Sequence, residues 1–417
     1  MGTLAAIRSL DRRAKTSFIA AFLGWTLDAF DFFIVTFVVT NIATDFHRSI
    51  PEIVLAITLT LAARPFGAIL FGALGDAVGR RLPLMIDIAL FSLIEFATAF
   101  SPNYAVFLIL RILFGVAMGG EWGLGAALTM ESLPTKTRGI LSGLLQEGYM
   151  VGYLLAAVAN FVVFTWTPWG WRALFIIGVL PAILLFFIRR HVEESPTWSA
   201  ASKRPDIVNS RGIATVKSLP LMFYAVLFMT AFNFMSHGTQ DLYATFLQKQ
   251  HGFSPSVVSF LAIVAAIGAI LGGIAFGALS QRVGRRVGII VAALLGVAAI
   301  PLWAYAGSVP ALAAGAFAMQ FAVQGAWGII PAHLNEISPP LLRGSFPGTA
   351  YQMGNLLSAG AAQIEATIAA TSFALPGGGA DYARALAAIA IVVLVAVAAL
   401  AAFGFLVTPE RRDEALD

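Results

Sequence analysis

The sequence has no cysteine among its 417 residues and few charged side chains. The missing cysteines exclude disulfides, thiol chemistry and Cys-ligated metal sites. Charged residues make up 12% of the chain, whereas soluble proteins carry about 25%. Because 59% of the residues are hydrophobic, too little polar surface is left to cover a soluble core of this size. The composition therefore predicts a helical protein that crosses a membrane many times.

Apolar runs of about twenty residues, the length that a membrane-spanning helix needs, recur from one end of the chain to the other. The first run follows a basic N-terminal stretch but is too long for the apolar part of a signal peptide, so we expect it to remain as the first span. Hydropathy and Pro/Gly breaks divide the runs into twelve predicted spans. They are 17–40, 52–75, 82–100, 104–130, 139–165, 170–189, 217–247, 255–280, 287–306, 309–336, 344–372 and 382–407.

The two halves of the chain repeat each other at a fixed offset. The block that begins at Gly72 returns at Gly277, 205 positions later (277 − 72), and Trp122 returns as Trp327. A same-direction repeat of six spans resembles the two halves of a major facilitator transporter. The resemblance implies an all-α membrane protein of twelve transmembrane helices, in two six-helix halves related by a pseudo-two-fold axis. Further pairs at this offset are Glu131 with Glu336 and Arg138 with Arg343.

The most polar linker lies midway along the chain. We expect an N-terminal half at 1–189, a cytoplasmic linker at 190–216 and a C-terminal half at 217–417. Most of the 26 Lys and Arg then lie on the side of both termini, which the positive-inside rule makes the cytoplasmic side. This distribution explains the basic net charge without a nucleic-acid partner. The prediction is a multi-pass protein of the inner (plasma) membrane bilayer that acts as a monomer.

Short charged motifs mark the predicted cytoplasmic ends of the spans. The repeated block resembles the loop between the second and third helices of major facilitators. There Asp76 with Arg80 and Arg81 would form a charge lock that holds the inner gate shut. The second copy has Gln281 in place of the aspartate, so we expect the stronger lock in the first half. Arg138 belongs to the same set of gating candidates.

Ionisable residues inside predicted spans are functional candidates, because lipid tolerates them poorly. Asp28 and Asp31 lie three residues apart on one helix face, which suits proton binding, or one of them pairs with a cation of a neighbouring helix. Arg64 presents a planar fork that matches a carboxylate, unless it pairs with one of those aspartates. Arg111 is a rival anchor. Glu121 is either a partner for Arg111 or a group of the transport pathway, and we count it as a proton-coupling candidate.

Polar side chains crowd the seventh predicted span at 233-NFMSHGTQDLYAT-245. Four of them recur every four residues, so they form one stripe over about three helical turns. Contact with lipid would cost several kcal/mol, so the stripe must face a cavity or another helix. A histidine with a carboxylate four residues on can share and pass a proton near neutral pH. The stripe consists of Asn233, His237, Asp241 and Thr245, with Ser236 and Gln240 beside it.

This segment reads N-x-x-S-H-x-x-Q-D-x-x-x-T, which resembles the seventh-helix signature of the Jen-type lactate/pyruvate:proton symporters, a branch of the sialate:proton symporter family. The stretches 24-GWTLDAFDFF-33, 118-MGGEWGLG-125 and 351-YQMGNL-356 are also similar to that family. The resemblance implies proton-coupled symport of short monocarboxylates, with a co-transported proton and no cofactor. By position, it assigns cargo recognition and proton coupling to Asn233, His237, Gln240 and Asp241, the carboxylate anchor to Arg64 and a place along the path to Gln352.

Other functions are weighed against this prediction. A proton-coupled transporter of a larger organic acid, such as sialic acid, is the alternative within transporters. A membrane sensor is expected to carry an added soluble signalling domain. An integral-membrane enzyme needs a metal-ligand, nucleophile–base or phosphate-binding pattern, and the sequence shows none of these. We therefore expect no enzyme activity and no bound metal.

Overall fold

The computed structural model describes residues 7–203, 211–373, 381–414 and 416; part of the predicted linker, 204–210, lies outside them. Within the described ranges the chain is helical and contains no strand. Eleven passes among these residues are long and apolar enough to cross a membrane. The remaining pass consists of two shorter helices, Phe346–Leu357 and Ala361–Thr371. The predicted all-α membrane fold is confirmed.

The helices of the first half form six passes, several of them in two pieces. Their bounds are α1 Arg12–Phe37, α2 Val39–Asp45, α3 Ile50–Val78, α4 Arg81–Ala99, α5 Tyr104–Met118, α6 Glu121–Ser132, α7 Thr135–Gln146, α8 Gly148–Trp166, α9 Gly170–Ile177 and α10 Pro181–His191.

Two short helices lie in the linker region, and the second half follows with the same order of passes. The bounds are α11 Pro196–Ala201, α12 Arg211–Lys217, α13 Leu219–Gln240, α14 Tyr243–Lys249, α15 Pro255–Val283, α16 Arg285–Tyr305, α17 Val309–Trp327, α18 Ile330–Ile337, α19 Phe346–Leu357, α20 Ala361–Thr371 and α21 Tyr382–Val407.

Several passes are interrupted within their length. The fourth pass changes from α5 to α6 at Gly119–Gly120, and the seventh changes from α13 to α14 at Asp241–Leu242. Broken helices are tolerated within a membrane where they are buried in protein or line a cavity. The break at Asp241 lines the cavity between the halves, whereas the break at Gly119–Gly120 is buried inside the first half.

The halves meet along two helix pairs, α7 with α15 and α3 with α19. Glycines allow the first pair to pack backbone to backbone. A Cβ atom on Gly143 would overlap the carbonyl of Gly273, and one on Gly277 would overlap the carbonyl of Gly139. Small residues at a helix crossing permit this close approach within a membrane.

Both chain ends and the linker lie at one end of the molecule, which we call the terminal face. Here Arg13 donates to the carbonyl of Glu194, and Thr197 donates to the carbonyl of Leu416. Gly79 and Gly284, 205 positions apart, turn the chain at this face with φ of 105° and 104°. Only glycine adopts such angles without strain. The sequence repeat is therefore also a repeat of backbone conformation.

Candidate functional site

A central cavity of about 400 Å³ lies between the two halves. The first half lines it with α1, α3, the end of α7 and α8, and the second half with α13, α17 and α19. Its wall carries one cation, Arg64, and faces the polar stripe of α13. Such a mixture of aromatic surface and a few polar groups is typical of small-molecule sites.

The polar stripe of the seventh pass faces this cavity as predicted. His237 Nδ1 lies 3.0 Å from Asp241 Oδ2, and the two side chains are 32% and 33% exposed. Thr245 is not among the described residues that line the cavity. Because the helix breaks at Asp241–Leu242, the four-residue spacing no longer holds beyond Asp241. The stripe is therefore one turn shorter than the spacing predicts.

Hydrogen bonds hold the other stripe residues in place. Asn233 Nδ2 donates to the carbonyl of Met229 at 2.8 Å, which leaves its amide oxygen at the cavity wall. Gln240 Nε2 donates to Gln320 Oε1 at 2.9 Å. Trp327 Nε1 donates to Ser236 Oγ at 2.6 Å. These bonds pre-orient the polar wall, which lowers the entropy lost when a ligand binds.

The position of Arg64 is compatible with both of the roles that the sequence leaves open. Its Nη2 lies 3.5 Å from Asp28 Oδ2, and its guanidinium lies 5.2 Å from the ring of Phe32. The side chain is only 4% exposed, yet it borders the cavity. Arg64 is thus a cation that is paired inside the first half and also presented to a ligand.

The remaining acidic candidates lie behind the cavity wall. Asp31 and Glu121 are buried, and none of their carboxylate oxygens has a hydrogen-bond partner among the described residues. Neither residue lines the cavity. A charged carboxylate is costly in such a position unless it is paired, so both sites suit a carboxyl that carries a proton.

The predicted pairing of Arg111 with Glu121 is wrong. Arg111 Nη2 instead donates to Glu95 of α4 and, at 2.9 Å, to Thr98 Oγ1. The break after α5 turns Glu121 toward Gly24 of α1, where a Cβ atom would collide with its carboxylate. Arg111 is therefore a structural cation inside the first half and not the cargo anchor.

The position of Gln352 also differs from the expectation that it lines the path. Its side chain is 1% exposed, and its Oε1 meets no donor in the described part of the chain. Tyr351 and Asn355 of the same helix line the cavity instead. They lie four residues apart and so share a helix face, whereas Gln352 points about 100° away from Tyr351. That spacing in the quoted stretch 351–356 could have indicated Asn355.

Aromatic rings close the cavity toward the terminal face, a feature that the sequence analysis missed. Trp122 and Trp327, which are equivalent in the repeat, lie 4.8 and 5.7 Å from Tyr351 between ring centroids. Trp25 lies 5.5 Å from Tyr149 and 6.4 Å from Trp122. We call these five residues the aromatic floor. Both halves contribute to it, so it must separate if the cavity is to open at the terminal face.

Below the aromatic floor, Asp76 closes the terminal face. Arg80 Nη1 donates to Asp76 Oδ1 at 2.8 Å, and Arg80 Nη2 donates to Glu131 at 3.1 Å. Asp76 also accepts from the backbone N–H groups of Gly344 and Ser345 in the other half. Burial alone would lower the pKa of Arg80, but Glu131 and Asp76 outweigh burial and raise that pKa. Asp76 therefore joins both halves through its pairing with Arg80 and its hydrogen bonds from Gly344 and Ser345.

The second half repeats this arrangement with different chemistry. Gln281 Oε1 accepts from the N–H of Gly139 at 3.2 Å, as Asp76 does from Gly344. Glu336, the equivalent of Glu131, binds Arg285 at 2.8 Å and also Arg138 of the other half at 3.3 Å. The second copy therefore has one carboxylate where the first has two, but its carboxylate forms an ion pair across the boundary, and a stronger lock in the first half stays a prediction.

Arg81 lies outside the lock, which corrects its assignment as a gating residue. Its guanidinium donates to the carbonyl of Arg189 in the same half. The turn at Gly79 directs Arg80 inward and Arg81 toward the surface. Arg343 is buried beside the lock and donates to the carbonyl of Leu416 at 3.0 Å. Burial lowers the pKa of Arg343 to about 10, which leaves it charged near neutral pH.

Comparisons with known proteins agree with this architecture. The sugar (and other) transporter family matches residues 15–221 and 213–410. The carboxylic acid transporter protein homolog of Saccharomyces cerevisiae is 32% identical over 375 residues, which cover 84% of this chain and 61% of that protein. The chain thus spans less than two thirds of that relative's length.

Two further comparisons cover more than four fifths of both partners. The sialic acid transporter NanX of Escherichia coli is 26% identical over 349 residues, covering 82% of this chain and 84% of NanX. The structure of the proton:xylose symporter XylE, a major facilitator superfamily protein, superposes with a TM-score of 0.74 at 19% identity over 97% of this chain and 98% of XylE. At this identity the likeness establishes a common fold.

Proposed function

The chain belongs to the sugar (and other) transporter family and has the major facilitator fold, and from this premise we propose that it is a proton-coupled symporter of short monocarboxylates such as lactate and pyruvate. One observation carries the proposal. The central cavity holds a guanidinium, Arg64, opposite a His237–Asp241 pair. A cation suits a carboxylate cargo, and the pair suits a proton.

The cargo carboxylate would bind to Arg64. The guanidinium makes a long contact with one oxygen of Asp28, so its donors are not saturated by that pair. Asn233 and Asn355 offer amide groups to a hydroxyl or keto oxygen of the cargo. The carboxylic acid transporter homolog of yeast supports this substrate class.

The proton would bind at the His237–Asp241 pair. Protonation of the pair together with a carboxylate on Arg64 gives a loaded cavity that is close to neutral, which lowers the cost of moving the site between the two sides. Asp28, Asp31 and Glu121 are the second set of proton-coupling groups. Asp28 joins the two sets, because it contacts Arg64 on the cavity side.

Alternating access would follow from rocking of the two halves around this cavity. The aromatic floor and the Asp76 and Gln281 contacts close the terminal face in the described state. Release of cargo at that face requires all of them to part. We place the terminal face in the cytoplasm, in accordance with the distribution of Lys and Arg.

Proton-driven uptake tests the proposal. Proteoliposomes with the purified chain should take up radiolabelled lactate faster when the outside is more acidic than the inside. Loss of a charge-assisted hydrogen bond should weaken uptake in Arg64→Ala by about 10- to 100-fold, and His237→Ala should lose the response to the gradient. Matched controls are Arg384→Ala, whose cation is 71% exposed, and His251→Ala, whose ring contacts Phe246 and Phe253 outside the cavity.

Two outcomes would contradict the proposal. A rate of lactate uptake that does not depend on the proton gradient would contradict the proposed proton coupling. Full activity of both Arg64→Ala and His237→Ala would overturn the assignment of the site.

A larger acid such as sialic acid is the second candidate cargo. The cavity volume of about 400 Å³ favours it, because cavities of about 300–1,000 Å³ take drug-sized ligands. The relative NanX also supports it. Competition separates the two candidates, since pyruvate should displace lactate if the first is right, and sialic acid should displace both if the second is right.

A further inference from the structure

A second chamber of about 290 Å³ adjoins the central cavity. The side chains of Met150, Tyr153, Gln240 and Gln324 line both spaces, so the two are direct neighbours. The additional space, which we call the side chamber, lies between α8 of the first half and α13 to α15 and α17 of the second. It is not required for a cargo as small as lactate, which the central cavity already accommodates.

The walls of the side chamber are small and apolar. Helix α15 presents a row of alanines, and Leu247 and Val258 lie next to them. The rings of Tyr243 and Trp303 stack with centroids 5.0 Å apart, and the Tyr243 hydroxyl donates to the carbonyl of Trp303 at 3.1 Å. The Tyr243 hydroxyl therefore already has a hydrogen-bond partner and does not need one from a ligand. The alanines are Ala262, Ala265, Ala266 and Ala269, with Ala316 opposite on α17.

Two polar side chains at the mouth of the side chamber, Gln240 and Thr239, are hydrogen-bonded within the second half. Gln240 Nε2 donates to Gln320 Oε1 at 2.9 Å, and Thr239 Oγ1 donates to the carbonyl of Met235 at 2.8 Å. These bonds remove the need for a polar ligand at the mouth. An apolar group can pass Gln240 without leaving a buried donor unpaired.

The side chamber lies within reach of the head-group site. Gln240, which lines both spaces, follows His237 by three residues, about 4.5 Å along the axis of α13. A molecule whose carboxylate lies between Arg64 and His237 can therefore extend an apolar tail into the side chamber. The chamber volume corresponds to about ten waters, or to a tail of about four to six carbons.

We propose that the side chamber binds the apolar tail of the cargo, so that monocarboxylates with a chain of about six carbons or one aromatic ring bind more tightly than lactate. The inference rests on the proposed function, because the same head-group site must hold the carboxylate. Each methylene that leaves water for an apolar wall strengthens binding about fourfold. Hexanoate should therefore bind at least tenfold more tightly than propionate.

Calorimetric titration of the purified full chain in detergent tests the inference. The probes are acetate, propionate, butyrate, hexanoate, benzoate and lactate. No gradient is present, so leakage of the longer acids through a bilayer does not affect the result. We expect Kd to fall with each added methylene up to hexanoate. A Kd that stays flat or rises with chain length overturns the inference.

A filled side chamber provides the second test. We fill the tail site with a progressively larger side chain in the series Ala265→Val, Ala265→Leu and Ala265→Phe. Affinity for hexanoate should fall at each step, and the total fall should exceed that of the affinity for acetate by at least tenfold. The matched control is Ala314→Phe, an exposed position on α17 outside both spaces. A preference for hexanoate that survives in Ala265→Phe contradicts the inference.

The outcomes separate this inference from the proposed function. If propionate and lactate bind and drive proton-coupled uptake but chain length has no effect, only the side-chamber inference fails. If no carboxylate of the panel binds or is taken up, the proposed function fails with it. The titration of the parent chain alone shows whether affinity depends on chain length, so the test does not depend on the folding of any variant.

Discussion

Arg64 meets two demands with one guanidinium. It pairs with Asp28 in the interior of the first half, and it borders the central cavity, which is the proposed cargo site. A contact of 3.5 Å is long for a charge-assisted hydrogen bond. The arginine is therefore held in place by Asp28 without being saturated by it, which is the state that a ligand-binding cation requires.

A double substitution separates these two demands. Arg64→Ala leaves Asp28 buried and unpaired, which should cost about 3–5 kcal/mol of stability as well as uptake. In Arg64→Ala/Asp28→Asn the unpaired charge is gone, so the thermal unfolding midpoint should recover while lactate uptake stays lost. Thermal unfolding in detergent and uptake in proteoliposomes give the two measurements. Recovery of uptake in the double variant would show that Arg64 only pairs with Asp28.

The eleventh pass offers a second prediction for single residues. Asn355 lines the cavity and Gln352 does not, so Asn355→Ala should raise the KM for lactate about 3- to 10-fold through loss of a neutral hydrogen bond. Gln352→Met keeps the side-chain volume and should leave KM unchanged. Initial rates of uptake over a range of lactate concentrations give both values. The reverse result would restore the role that the family resemblance implies for Gln352.

Glycine contacts set the position of each helix around the cavity. Helix α5 packs on α3 through Gly115 and Gly119, where a Cβ atom would overlap the carbonyls of Thr60 and Arg64. The backbone of Arg64 thus rests directly on α5. Any substitution that pushes these helices apart also displaces the guanidinium from the cavity wall.

A single methyl group tests this packing. Gly115→Ala should destabilise the protein by about 1–3 kcal/mol, because the added carbon has no space between the two backbones. Gly307→Ala is the matched control, since a Cβ atom there meets nothing within 4 Å. Thermal unfolding midpoints in detergent compare the two variants. Equal midpoints would mean that α3 and α5 are not held at this distance.

The whole molecule is a pair of halves closed at one face. The closure depends on reciprocal contacts, since Asp76 of the first half accepts from Gly344 and Gln281 of the second accepts from Gly139. Arg138 adds an ion pair across the same boundary. All of them close the terminal face in this structure, and in the proposed alternating-access cycle their strength would set the balance between the closed and open states.

Weakening one of these contacts should open the terminal face. Asp76→Asn removes the negative charge that accepts hydrogen bonds from Gly344 and Ser345. If the closed state loses about 1.4 kcal/mol of stability, the population of the open state should rise about tenfold. Because the chain has no cysteine, spin labels on Lys136→Cys and Arg282→Cys report the separation across the boundary specifically.

A surface carboxylate provides the control for this experiment. Glu193 pairs with Arg13 within the terminal face and is 66% exposed, so Glu193→Gln removes a charge without touching the boundary. The distance distribution should then match that of the parent. An unchanged distribution in Asp76→Asn would show that this contact does not control opening.

Composition and spacing alone determined the membrane fold, the repeat and the polar face of the seventh pass. Those features depend on local rules, namely the length of a membrane span and the 3.6-residue turn. The stripe from Asn233 to Asp241 was therefore predictable, and so was the pairing of Asp76 with Arg80. The prediction for Thr245 was wrong because the helix breaks before it.

Only the tertiary structure decided which groups meet across helices. Arg111 pairs with Glu95 and not with Glu121, and Asn355 lines the cavity where Gln352 was expected. The side chamber is likewise formed by alanines that spacing alone does not distinguish from ordinary packing residues. The rotation of each helix and the angle of each break are set by close contacts such as Gly119 on Arg64 and Gly24 on Glu121, and these join residues far apart in the chain.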